Sequence, residues 1–145
     1  MRFQPLQSNM KYLKITAALL LASLLGCANL VGNFDQNTYQ SATALKVESL
    51  ALMEHATEPS AAFSGAISAL QGKLAAQLAY EEGKGKQNRL SAAQWKLLID
   101  PKEPMLGMFL DQWTVGYSSA FVKEKEIQVG LAFDQILRAE GAKNE

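Results

Sequence analysis

The chain has one cysteine, Cys27, and one histidine, His55. A single cysteine excludes any disulfide within the chain, so packing alone must hold the fold. A single histidine excludes histidine clusters, and with them the paired Glu-x-x-His motifs of di-iron bundles. No Gly-x-Ser-x-Gly elbow is present to expose a nucleophilic serine. Gly83-Lys84-Gly85-Lys86 lacks the spacing and the following Ser/Thr of a phosphate loop. Positive charge is not in excess, since 14 Lys+Arg face 14 Asp+Glu. Nucleic acid is therefore not indicated as a partner. Period-two alternation of useful length is missing, which argues against strands. No acid–base or nucleophile–base pair emerges, so the expectation is a protein without enzymatic activity, cofactor or metal.

What the chain does have is a three-part leader. Arg2, Lys11 and Lys14 are positive, Ile15 to Leu25 form an apolar run, and small Gly26 precedes Cys27. Met10 can also serve as the start, because Met10-Lys11-Tyr12-Leu13-Lys14 and the apolar run make a complete leader. The 11-residue run is too short to cross a hydrocarbon core about 30 Å thick as a helix. Leu24-Leu25-Gly26-Cys27 resembles the lipobox of bacterial lipoproteins. The resemblance implies cleavage of a signal peptide, residues 1–26, and lipid attachment at the Cys27 sulfur. The lipid is a diacylglyceryl thioether plus an amide-linked acyl chain. Two or three acyl chains anchor stably where one binds marginally. Ala28 follows the cysteine, not Asp, and by the same resemblance that directs the protein to the periplasmic face of the outer membrane.

Residues 27–36 read as a tether reaching roughly 30 Å when stretched. Residues 37–145 read as one domain, since the part after the leader has 119 residues. It carries 11 basic against 14 acidic side chains, a net charge of −3.

The domain reads as all-α, with three long helices over about 37–57, 60–82 and 117–140. Two short helices, about 91–99 and 105–114, accompany them. Asn37 is the expected cap of the first, with Gln40 reaching back, and Pro59 ends it. Its apolar face is Tyr39, Ala42, Leu45, Leu52, Met53 and Ala56, widened by Val47 and Leu50. The second helix has two seams: Phe63, Ile67, Leu70, Leu74 and Leu78, and the small Gly65, Ala69, Gly72, Ala76 and Ala79. A small seam invites close approach by another helix, which places this helix in the middle of a bundle. Gly83 or Gly85 ends it. Ser91-Ala92-Ala93-Gln94 is a capping box, with Leu90 placed to staple on Trp95. Thr114 to Ser119 is poor helix material, so the long last segment should break there. Beyond the break, Tyr117, Ala120, Phe121, Ile127, Leu131 and Leu137 form the expected apolar face, with Val129 and Phe133 for a second neighbour. The architecture expected is an up-down bundle closed at one end by the two short helices.

Two groups are candidates for binding. Lys84, Lys86 and Arg89, followed by Lys96, are the one local positive concentration. They read either as a soluble linker or as a contact for anionic envelope material. Trp95, Trp113 and Tyr117 read either as a small core or as a partner patch, since such residues dominate hot spots. His55 reads as a cation at a helix end, and Lys123 to Glu126 as a solvated face. The function expected is a non-enzymatic interaction or adaptor module on a membrane, held by lipid on Cys27, with an envelope protein as partner. Small helical lipoproteins that pilot secretion channels, or that block incoming toxins, are analogies in organisation only. The alternative is a carrier of a small apolar ligand in the bundle interior, beside Gly65, Gly72 or Gly116.

Overall fold

The computed structural model describes residues 32–144. The leader, Cys27 and the first part of the tether lie outside the described residues. The first helix, α1 (Gln36–Met53), starts where the carboxylate of extended Asp35 accepts hydrogen bonds from the amides of Asn37 and Thr38. The cap is therefore Asp35 rather than Asn37, and Asp35 belongs to the folded body rather than to the tether. Asp serves as well as Asn in this role, and its charge also suits a helix N-terminus.

α1 stops four residues short of the expected 57. The reason is tertiary. The Ala56 carbonyl accepts from the Tyr117 amide at 2.7 Å, and the Thr114 carbonyl accepts from the Ser60 amide at 3.1 Å. Residues 54–60 are thus strapped to the 113–117 break. Gly116 makes the strap possible: its φ is +27°, and a Cβ there would sit 2.1 Å from the Thr57 carbonyl oxygen. Only glycine fits so close to another backbone without displacing it.

A 3₁₀ turn, Ser60–Phe63, leads into α2 (Ser64–Gly83). Gly85, with φ +86°, and not Gly83, supplies the positive dihedral that follows it. α3 (Arg89–Ile99), α4 (Leu106–Gln112) and α5 (Ser119–Gly141) complete the set. The break between α4 and α5 is where the sequence places it, and Ser118 caps α5 by accepting from the Phe121 amide at 3.3 Å. Among the described residues there is no strand, and the domain is an all-α helical bundle.

α1 packs on α2 and α5, and α3 packs on α2 and α5. The four form a closed ring in cross-section in which neighbours run antiparallel, as the pairs Glu48–Lys73 and Lys46–Asp134 show. α3 therefore closes the bundle along its side, where the sequence reading put it at one end. The core holds Leu45, Leu52 and Met53 of α1, Ile67, Leu70 and Leu74 of α2, Trp95 and Leu98 of α3, and Val129, Phe133 and Ile136 of α5. Each such large side chain contributes roughly 1.5–3 kcal/mol through burial.

Three expected faces differ. On α1, Tyr39 and Val47 point outward. On α2, only the large-residue seam is buried; the small seam faces solvent, and a Cβ on Gly65 or Gly72 would meet nothing within 4 Å. Both neighbours of α2 sit on its large-residue side, so no third helix uses the small one. On α5, the buried residues are Val122, Val129, Gly130, Phe133, Ile136 and Glu140, while Ile127 and Leu131 are exposed. α5 is apolar over more than half its circumference, and packing against both α1 and α3 selects which part goes inside.

The capping box is not formed. α3 starts at Arg89, two residues before the expected start, with Asn88 preceding it and no side-chain cap bond. Leu90 is 63 % exposed, so it does not staple on buried Trp95.

Candidate functional site

The expected basic concentration divides in two. Lys84 turns inward. Its ammonium pairs with Asp35 at 2.8 Å and with Glu81 at 3.0 Å, and it donates to the Thr38 hydroxyl. Lys86, Arg89 and Lys96 stay exposed. They line one shallow hollow of about 470 Å³ whose floor includes Ala92 and Ala93. Arg89, Ala93 and Lys96 are at i, i+4 and i+7, so the helix itself aligns them.

Lys84 belongs to a buried ring of charge that no motif announces. The Glu81 carboxylate is fully buried and accepts from Thr38, from Gln77 at 2.9 Å, from Lys84 and from the Asn88 amide nitrogen. The Asn88 amide oxygen accepts from Lys143 at 3.3 Å. Lys143 also donates to Ser91 at 3.1 Å and to Glu140. Glu140 in turn accepts from the Asp35 amide at 2.6 Å, and the circuit closes. It joins the start of α1, the end of α2, the turn before α3 and the end of α5. Ser91, the third residue of α3, joins this circuit and stands inside the helix, past the capping position.

Burial alone would raise the Asp35 pKa, but hydrogen bonds from Lys84, Tyr80 and the amides of Asn37 and Thr38 outweigh it. They hold the carboxyl well below the usual carboxylate range. Burial likewise works to lower the Lys84 pKa, and Asp35 and Glu81 together reverse it, so that Lys84 is raised. Both groups are thereby fixed in their charged forms at neutral pH. The one sequence signal for this ring is the i, i+4 pair Gln77 and Glu81, which continues the large-residue seam Ile67, Leu70, Leu74 on α2. A polar residue on a core stripe marks a position where partners must be supplied.

The aromatic candidates do not form one patch. Trp113 is buried, donates to the Glu58 carbonyl at 2.8 Å, and stacks on Phe63 at 5.5 Å. Tyr117 lies against Phe109 at 4.9 Å and donates to the Phe109 carbonyl at 3.1 Å. Burial, then the nearby Asp111, raises the Tyr117 pKa. Trp95 lies elsewhere, fully buried edge-on against Phe133 at 6.0 Å. Its Nε1, like the Ser49 hydroxyl, has no hydrogen-bond partner among the described residues. The three are core residues of two different regions. His55 continues the first, stacked on Phe63 at 4.8 Å, with Nδ1 3.8 Å from the Glu58 carboxylate.

The surface that folding leaves apolar lies between α3 and α5. A groove of about 330 Å³ is lined by Gln94, Leu97 and Leu98 of α3, by Glu103, Pro104 and Met105, and by Ala132, Gln135 and Ile136 of α5. Leu90, Gln94 and Leu97 lie on one stripe of α3, and Ile127, Leu131 and Gln135 on one stripe of α5. Leu97 is 55 % exposed, Leu131 57 % and Ile127 64 %. Each lip of the groove carries a glutamine, beside exposed Leu97 on α3 and beside half-buried Ala132 on α5, while exposed Ile127 and Leu131 lie outside the lining. The sequence reading counted Ile127 and Leu131 as core and missed this surface. No interior volume lies beside the glycines proposed for a carrier site: Gly65 and Gly72 face solvent, and Gly116 is packed on Thr57.

No group of three or more His, Cys, Asp or Glu among the described residues is placed to hold a metal ion. No described helix is long and apolar enough to cross a membrane. No family model, no curated protein and no solved structure matches the chain.

Proposed function

We propose that this chain is a lipid-anchored envelope protein whose helical domain is a non-enzymatic interaction module. Anchoring is supported by the lipobox pattern at Cys27, and Ala28 supports the periplasmic face of the outer membrane as its place. The observation that carries the interaction reading is the largely apolar α3/α5 groove, with Leu97 55 % exposed on its α3 lip. The groove itself is at the low end of small-molecule sites in volume. It is open along one side, where exposed Leu97 stands beside Pro104 and Met105. That shape suits the apolar side of a helix from a partner protein, laid into the groove with anchors one turn apart. The glutamine on each lip offers hydrogen bonds at the rim, where interfaces are polar.

The test has two parts. Mass spectrometry of the protein from its native envelope reads the state of Cys27; an unprocessed leader or a bare thiol refutes the anchor. Crosslinking of the acylated protein in the same envelope then reads the partner. A specific crosslinked protein that is lost in Leu97→Asp and Ala132→Asp, with helicity unchanged, supports the groove. A partner retained by both variants, or a co-purifying small molecule in its place, refutes it.

A further inference from the structure

We infer that the Lys86, Arg89 and Lys96 face docks on the anionic phospholipid surface in which the chain is anchored, and so sets the orientation of the domain. The inference rests on lipid attachment at Cys27. It adds which side of the domain meets the membrane.

Three observations bear on it. The first is where the folded body begins. Gly32 lies against the turn before α3, where a Cβ would stand 3.4 Å from Asn88 Oδ1 and 3.6 Å from the Gln87 carbonyl oxygen. Cys27 precedes Gly32 by five residues, so their Cα atoms are at most about 18 Å apart whatever path the chain takes. The tether expected from the sequence reached roughly 30 Å, but Asp35 is tied to Lys84 and, through its amide, to Glu140. The buried ring thus fixes the point at which the chain enters the domain.

The second observation is what flanks that point. Lys86 and Arg89 bracket Gln87 and Asn88, and Lys96 follows two turns along α3. Among the described residues, none of the three lies within ion-pair distance of a carboxylate, whereas Lys46, Lys73, Lys84 and Lys143 are all paired. Glu82, exposed on the same hollow, is the one acidic side chain lining it.

The third observation is geometric. The hollow between the three cations is shallow and floored by alanines. It can lie flat on headgroups without burying polar backbone. α2 has 20 residues, so Ala62 lies about 30 Å along the bundle from Gln87, and the three cations cover only about the nearest 10 Å of that length. The α3/α5 groove runs along the side, from Gln94 toward Pro104 and Met105, and remains open to the periplasmic space.

Each basic side chain near an anionic surface strengthens association roughly fivefold. Removing all three should lower the ratio of docked to undocked domain on the order of 100-fold. The test uses the acylated full chain in vesicles of phosphatidylcholine, with and without about one-third phosphatidylglycerol, carrying a headgroup-attached quencher. Gln87→Cys and Ala62→Cys, exposed at opposite ends of α2, each take a thiol-reactive fluorophore. The expected result is an excess of quenching at position 87 in anionic over neutral vesicles, and a smaller excess at 62. Lys86→Gln, Arg89→Gln and Lys96→Gln together should abolish it, as should salt at about 0.5 M, where the Debye length is a few ångströms. Equal quenching at 87 in both vesicle types, or quenching unchanged by the triple variant, overturns the proposal while flotation with vesicles shows the anchor intact. Failure to float, with label taken up at Cys27 itself, instead refutes lipidation and the proposal with it.

Discussion

Replacing Glu81 with Gln should destabilise the domain more than any other single change of charge. Gln keeps the volume and half the acceptors, but it places an amide NH₂ among donors. Thr38, Gln77, Lys84 and Asn88 all donate to the carboxylate, and the first, second and fourth of these side chains are buried. Lys84 keeps Asp35, and Asn88 keeps the Glu81 carbonyl at 3.0 Å. Thr38, Gln77 and Lys84 all donate to Oε1, which the amide oxygen can replace, so the loss falls on Asn88, whose NH₂ would meet another NH₂ in place of Oε2, and on Lys84, left beside a neutral group, about 1–3 kcal/mol each. Removing one partner of a buried pair typically costs about 3–5 kcal/mol in total. Against a whole-domain stability of about 5–15 kcal/mol, that is a large fraction. Urea unfolding followed by circular dichroism reads it as a lower midpoint with an unchanged slope. The surface pair Lys73–Glu48, with side chains 56 % and 38 % exposed, is the internal control. Lys73→Ala should cost at most about 1 kcal/mol. A Glu81→Gln variant within about 1 kcal/mol of the parent would refute the claim that the ring holds the domain together.

The strap at the far end gives a second expectation. Gly116→Ala places a methyl group on the Thr57 carbonyl at a positive φ, and should cost about 1–3 kcal/mol by the same urea measurement; Gly65→Ala, open to solvent in α2, should instead be neutral or slightly stabilising. The pH dependence follows from Asp35. Its folded pKa is depressed, so its contribution is fully present above the unfolded value near 3.9 and is lost as pH falls toward the folded value. Asp35→Asn should flatten the acid limb of a stability–pH curve below about pH 4. Lys84 acts in the opposite direction. Its folded pKa is raised, so its contribution persists below the unfolded value near 10.4 and is lost as pH rises through the folded value; Lys84→Met should flatten the alkaline limb.

Several elements could be read before any coordinates because their causes are local. Poor helix formers from Thr114 to Ser119 break the last segment wherever it is placed. The spacing of Ile67, Leu70 and Leu74 makes a stripe whatever it packs against. Other elements had competing local answers. Asp35 and Asn37 are both good caps, and only the bonds that residue 35 accepts from Tyr80 and Lys84 and donates through its amide to the Glu140 carboxylate choose between them. Ser91 and Gln94 satisfy a capping box, but α3 begins at Arg89, so Ser91 lies inside the helix and accepts from Lys143, 52 residues away. α5 offers apolar residues on more faces than it has neighbours, so periodicity could not say that Phe133 goes inside and Leu131 stays out.

Composition and short-range pattern were enough to define an all-α domain with one break in its last segment, since helix propensity and apolar spacing act within a few residues of chain. They could not define which apolar stripe becomes surface, nor that Glu81, Glu140 and two lysines share an interior. Those outcomes depend on residues dozens of positions apart meeting in space. A carboxylate on a helix looks the same in sequence whether water or four protein donors surround it, and only the packing of α1, α2, α3 and α5 around one end of the bundle makes it the second.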